Sequence, residues 1–154
     1  MEQLGRELFR SMMELMQSLK DFGSVGPVTR STMLLLSVIH QESEQSEQKS
    51  GVAGVTSSQL SNTMEVTKPA VSKAVGFLEE RGFVARVNDR EDRRRTYICL
   101  TPEGERVLEE ARQTVLERIN RIVDRLGEQE AQEFIRLSRS FSKVCQQLQE
   151  SANI

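Results

Sequence analysis

The run VARVNDREDRRRTYICLTPEG, residues 84–104, opens and closes with strand-like residues. Its middle sets four arginines (Arg90, Arg93, Arg94 and Arg95) among three acids (Asp89, Glu91 and Asp92) in seven consecutive positions. A guanidinium is planar, always charged, and presents a fork of donors that fits a carboxylate or a phosphate. Such a cluster therefore pairs with its own acids or recognises an external anion. The flanking FVARV and TYICLT are β-branched and alternating, which places the arginines at the tip of a two-stranded ribbon. A solvated loop of exposed ion pairs, each worth well under ~1 kcal/mol, is the simpler alternative.

The stretch before the ribbon decides between these. TSSQLSNTM predicts a short helix holding Leu60 and Met64, EV a turn, and TKPAVSKAVGFLEERG a second helix, with Thr67 as N-cap, Pro69 in the first turn and Gly82 at the end. Val71, Val75 and Leu78, with Ala74 beside them, form its buried side, and Lys68, Pro69, Ala70, Ser72 and Lys73 lie opposite. Small residues on that side let a helix approach a major groove closely. Thr67, Lys68, Ser72 and Lys73 can meet phosphates or base edges, and Pro69 and Ala70 can meet thymine methyls. Alone, this pair of helices could also be an ordinary hairpin with solvated lysines. A ribbon that follows directly, with Arg86 on its first strand and Arg90, Arg93, Arg94 and Arg95 at its tip, is placed to track flanking phosphates and to insert an arginine into a narrow minor groove. The interspersed acids would restrain indiscriminate adhesion and hold neighbouring guanidiniums in fixed forks.

The totals bound the rest. At 154 residues, with 37% hydrophobic and 29% charged residues, no Trp and one Tyr, the chain reads as a helix-rich single domain. A net charge of −2 argues against a protein that coats nucleic acid without selection, so the local distribution matters more than the sum. No apolar run is long enough to span a bilayer and MEQLGRELFR lacks a leader's pattern, so a cytoplasmic location is expected. Cys99 and Cys145 have no CxxC spacing and are expected to be small buried hydrophobes. With His40 as the single histidine, no metal site and no cofactor are expected.

Four further helices complete the reading. One spans 4–22, with Leu4, Leu8, Met12, Leu15, Met16, Leu19 and Phe22 as an apolar stripe. A core helix starts near Thr29. The polar stretch 41–54 extends it in part, and the remainder reads as a mobile surface loop. A long helix of about 24 residues begins at Pro102 behind a Thr101 cap, its stripe formed by Val107, Ala111, Val115, Ile119, Ile122 and Leu126. After Gly127 comes a last helix with Ala131, Phe134, Leu137, Phe141, Val144 and Leu148. These stripes exceed what a small helix-turn-helix needs for its own core, so a two-fold dimer is expected, with Leu8, Met12, Ile122, Phe134, Phe141 and Leu148 packing between chains. Recognition helices in such a pair would face successive major grooves of a near-palindrome, with half-sites about 34–36 Å apart.

Residues 56–104 resemble the winged helix-turn-helix of MarR-type bacterial transcriptional regulators, and the flanking helices match that family's layout over nearly the whole chain. The wing signature, D-x-R-D-x-R followed by L-T-x-x-G, is carried by Asp89, Arg90, Glu91, Asp92, Arg93 and Arg94, then Leu100, Thr101 and Gly104. Glu91 stands where the family usually has arginine, and the 41–54 stretch is longer than usual. Arg94 matches the motif's last arginine and is the first choice for the minor groove. The resemblance implies a mainly α fold with a small β-ribbon, as a single domain over 1–154. Its winged helix-turn-helix lobe would span about 28–101, flanked by N- and C-terminal dimerisation helices at about 1–26 and 102–154. It further implies a dimeric, sequence-specific binder of double-stranded DNA, a repressor released by a small aromatic ligand or an oxidant. Met12, Met16, Met33 and His40 are candidates to line a ligand cleft. The family's oxidant sensors usually carry their reactive cysteine in the first helix, where this chain has none. Two other readings stay open: a winged-helix protein-interaction module that binds no DNA, and a metal-sensing winged-helix repressor. An enzyme is not expected, because the sequence offers no nucleophile-base pair, phosphate loop or metal cluster.

Overall fold

The computed structural model describes residues 2–20, 22–26, 28–50, 53–89, 92 and 94–152. In chain order the elements are α1 (Glu2–Ser18), α2 (Arg30–Ser50), α3 (Ser57–Thr63), α4 (Lys68–Glu80), β1 (Val84–Asn88), β2 (Thr96–Leu100), α5 (Pro102–Leu126) and α6 (Glu128–Ala152). Contacts divide the chain into two units, residues 1–115 and 116–154.

The first unit is organised by one core. Leu36 and Ile39 of α2, Leu60 of α3, Val75 and Leu78 of α4, Ile98 of β2 and Leu108 of α5 are all essentially inaccessible to solvent. Burial of this kind is worth roughly 1.5–3 kcal/mol per side chain relative to exposure, which fixes α4 against α2 and α3. β1 and β2 pair antiparallel, with Val84 opposite Leu100, Arg86 opposite Ile98 and Asn88 opposite Thr96. Val55 adds a short third rung by exchanging two backbone hydrogen bonds with Ile98, at 2.8 and 3.0 Å. Gly54, at φ +142°, leads into that rung where a Cβ would lie 2.8 Å from both Cys99 Sγ and Tyr97 Cβ.

Caps set the helix ends. Thr56 and Gln59 form a reciprocal capping box at the start of α3, and Thr67 caps α4 by accepting the Ala70 N–H. Between them Glu65 takes the left-handed φ of +53° that turns α3 into α4. Arg81 is the C-cap of α4 and Gly82, at φ +72°, the residue just beyond it. The L-T-x-x-G signature has a structural cause. Thr101 donates its N–H to the Phe83 carbonyl (3.0 Å) and accepts the Gly104 N–H on its hydroxyl (3.0 Å). Gly104 then packs so tightly on Phe83 that only a hydrogen fits.

Four expectations need correction. The 41–54 stretch is helix as far as Ser50, because Glu, Gln and Lys are good helix formers and the Thr63 hydroxyl donates to Glu42 across to α3. Residues 51 and 52 lie outside the described residues. The first helix stops at Ser18, so Leu19 and Phe22 belong to the turns that follow. In α5 Ala111 is buried as expected, and so is Leu108, which the stripe through Val107 omitted; Val107 packs at the margin of the core. Cys99 and Cys145 are each only half-buried. Cys99 lies on β2 and Cys145 on α6, which is exposed along most of its length.

In the second unit α6 starts after Gly127 at φ +94°, and Ala131 is its one buried residue among those described. Among the described residues no helix is long and apolar enough to cross a membrane.

Candidate nucleic-acid interface

The face of α4 follows from its register. Val71, Val75 and Leu78 point into the core, and a helix that buries one stripe must present the opposite one. Thr67, Lys68, Pro69, Ala70, Ser72 and Lys73 are all exposed, as the sequence predicted. Lys68 and Lys73 form no ion pair among the described residues, so both ammonium groups are available to an anion.

The wing tip is organised by its acids. Asp89 Oδ1 accepts the Asp92 N–H at 2.9 Å, while the Asp89 N–H donates to the Arg95 carbonyl at 2.9 Å and the Arg95 N–H to the Asp92 carbonyl at 2.8 Å. Asp92 Oδ1 accepts both the backbone N–H and the Nε–H of Arg94, each at 3.1 Å, and Arg95 Nε lies 3.7 Å from Asp92 Oδ2. The Arg94 side chain is nonetheless 92% exposed. Asp92 thus fixes the base of the guanidinium and leaves its outer edge to solvent. Arg90, Arg93 and Glu91 lie outside the described residues.

Arg86 behaves differently from the tip arginines. Its Nε donates to Glu79 Oε2 at 3.1 Å, tying β1 to the last turn of α4. It sits at the base of the ribbon, and its pairing orients the ribbon against the helix.

The predicted ligand-cleft residues lie on two helices, Met12 and Met16 on α1 and Met33 and His40 on α2. Met33 packs at the edge of the core, Met12 is half-buried and Met16 exposed on α1. His40 stands between two carboxylates, with Nδ1 3.1 Å from Glu105 and Nε2 3.5 Å from Glu44, which joins α2 to the start of α5. A cavity of about 430 Å³ borders α4 and contains none of these four. Its walls are Thr29, Thr32 and Leu35 of the α2 entry on one side and Ala70, Lys73 and Phe77 of α4 on the other. Sequence reasoning missed this groove. The TRST run before an apolar helix is a capping signal, and it carries no information about which helix lies opposite. It missed equally the stacking of Arg81 on Phe77, 4.1 Å from the ring centroid. On β2, the Cys99 thiol donates to the Ala53 carbonyl at 3.1 Å, and burial pushes its pKa up, which disfavours the reactive thiolate.

Known proteins share this fold. Residues 27–95 match the MarR family. The HTH-type transcriptional regulator FarR of Neisseria gonorrhoeae is 37% identical over 68 residues, 44% of this chain and 47% of its own. This chain spans about half the length of that relative, or less in the others it matches. Among solved structures, a MarR family protein from Bacillus stearothermophilus superposes with a TM-score of 0.74 at 23% identity, covering 95% of this chain and 98% of its own. A mutant MepR from S. aureus, bound to an oligodeoxyribonucleotide, superposes with a TM-score of 0.62 at 23% identity over 90% of this chain and 96% of its own. The mainly helical fold with a two-stranded wing is common to the solved structures, and segment 27–95 of this chain is similar to the MarR family.

Proposed function

We propose that this chain is a sequence-specific regulator of transcription that binds double-stranded DNA as a homodimer and acts as a repressor. The observation that carries the reading is the adjacency of two features. α4 exposes Lys68, Ala70, Ser72 and Lys73 on one side, and the ribbon that follows it holds Arg94 outward on Asp92. In this reading α4 enters the major groove and Arg94 reaches the neighbouring minor groove, where the potential is most negative. Lys68, Lys73 and Arg95 neutralise phosphates. Thr67 stays chiefly a cap, and Arg86 a strut. The structure of mutant MepR bound to an oligodeoxyribonucleotide lends the reading support at the level of fold.

The homodimer is supported by apolar surface. α1 buries none of its residues within the chain, and Leu8, Ile122, Phe134, Phe141 and Leu148 are all exposed, Phe134 to 54% and Leu148 to 65%. Left in water such stripes associate, and a second copy is the partner that leaves both satisfied. Release by a small ligand is part of the proposal. A hundredfold loss of DNA affinity needs about 2.8 kcal/mol of difference in ligand binding between the two states. An oxidant route through Cys99 is disfavoured by its raised pKa.

Selection of bound duplexes from a random pool tests the reading. It should return a near-palindrome whose half-sites lie one helical turn, about 34–36 Å, apart. A pool that comes through unenriched would favour an interaction module instead.

A further inference from the structure

Between the entry of α2 and the outer side of α4 lies the open groove of about 430 Å³. Its floor is Leu35 and Leu78, both buried, and Ala74 and Phe77 form its apolar side. At the opposite lip Thr29, Ser31 and Thr32 form a cluster of hydroxyls. Thr29 Oγ1 lies 2.9 Å from both Ser31 Oγ and Thr32 Oγ1. Among the described residues the one charge on its lining is the ammonium of Lys73, and no carboxylate lines it. The first turn of α2 contains no acid either.

Resting on the DNA reading above, we infer that this groove seats the sugar-phosphate backbone of the bound duplex, with Lys73 and the Thr29 and Ser31 hydroxyls on one phosphate and the apolar wall against deoxyribose. Two features select this occupant. The groove's charge and hydroxyl donors complement an anion that is apolar on one flank, as a nucleotide backbone is. It is also continuous with the recognition face, because Ala70 and Lys73 belong to both. A strand lying there would be in contact with α4 while α4 reads the adjacent groove. The α2 entry thereby becomes a third DNA contact beside α4 and the wing.

Ser31 is exposed and gives a charge test that separates binding from folding. An acid in the first turn of a helix favours the helix, so Ser31→Glu should melt no lower than wild type while repelling a phosphate. Binding to a selected duplex and to an unrelated duplex is measured by fluorescence anisotropy across a salt series, for wild type, Ser31→Glu and Ser31→Lys. Ser31→Glu should lose at least tenfold in affinity on both duplexes. Ser31→Lys should gain several-fold and steepen the salt slope by about 0.9, the increment of one added phosphate contact. Wild type that binds while all three proteins agree within twofold overturns the groove assignment alone. Wild type that binds neither duplex overturns the DNA reading and this inference with it.

Discussion

Gly104 Cα lies against the backbone of Phe83 so closely that a Cβ at this position would fall 1.9 Å from the Phe83 carbonyl oxygen. The obstacle is backbone, fixed at the junction of α4 and β1, and it cannot swing aside. Thr101 locks the same junction by donating its N–H to Phe83. Gly104→Ala must therefore separate α5 from the wing, at a cost of about 3 kcal/mol or more. Urea unfolding should show a lower midpoint with an unchanged m-value. A midpoint equal to wild type would mean that the junction is looser than described.

Asp92 organises the wing tip by accepting from Arg94 and flanking Arg95. The pairs are largely exposed, so Asp92→Ala should change stability by less than about 1 kcal/mol. Its consequence should appear in discrimination. The released guanidiniums gain freedom to adhere, so affinity for unrelated duplex should rise several-fold while affinity for the selected duplex does not. Filter binding on the two duplexes gives the ratio, and a ratio that stays constant contradicts the orienting role.

The fold was legible where local chemistry and long-range packing agree. Thr56, Thr67 and Gly82 mark helix ends by hydrogen-bond and φ requirements that neighbouring residues alone impose. The burial of Val71, Val75 and Leu78 follows from helical period. The α4 face was legible for the same reason, since it is the complement of that stripe. What could not be read depends on partners distant in sequence. The helical continuation to Ser50 is supported by Glu42 meeting Thr63 of α3, and Leu108 rather than Val107 is buried because of where the lobe core lies. The pairing of Arg86 with Glu79 joins β1 to α4, a contact that the residues around Arg86 do not announce. The α2 groove needs two helices brought together that are remote in the chain.

Cys99 is half-buried with its thiol donating to Ala53, and burial holds its pKa above the ordinary thiol value. A raised pKa means less thiolate at any given pH below it. In a Cys145→Ser background, iodoacetamide should therefore alkylate Cys99 several-fold more slowly at pH 8 than it alkylates free cysteine. Reaction as fast as the free amino acid would restore Cys99 as a candidate oxidant sensor.

The apolar residues left exposed on α1, α5 and α6 predict self-association. Sedimentation equilibrium at micromolar concentration should give twice the mass of the 17.5 kDa chain. Phe141→Glu should shift the equilibrium toward monomer. A stable wild-type monomer would leave the exposed Phe134 and Phe141 without the proposed partner.

The central claim is that α4 and the wing grip duplex DNA together, and the salt dependence of Arg94→Ala tests it most directly. On the selected duplex, the wild type should show affinity that falls steeply as salt rises. Arg94→Ala should bind more weakly, with its log–log slope reduced by about one unit, and Ser72→Ala should alter sequence preference while leaving that slope nearly unchanged. If Arg94→Ala retains both the affinity and the slope of wild type, the outward arginine of the wing does not touch DNA and the account is wrong.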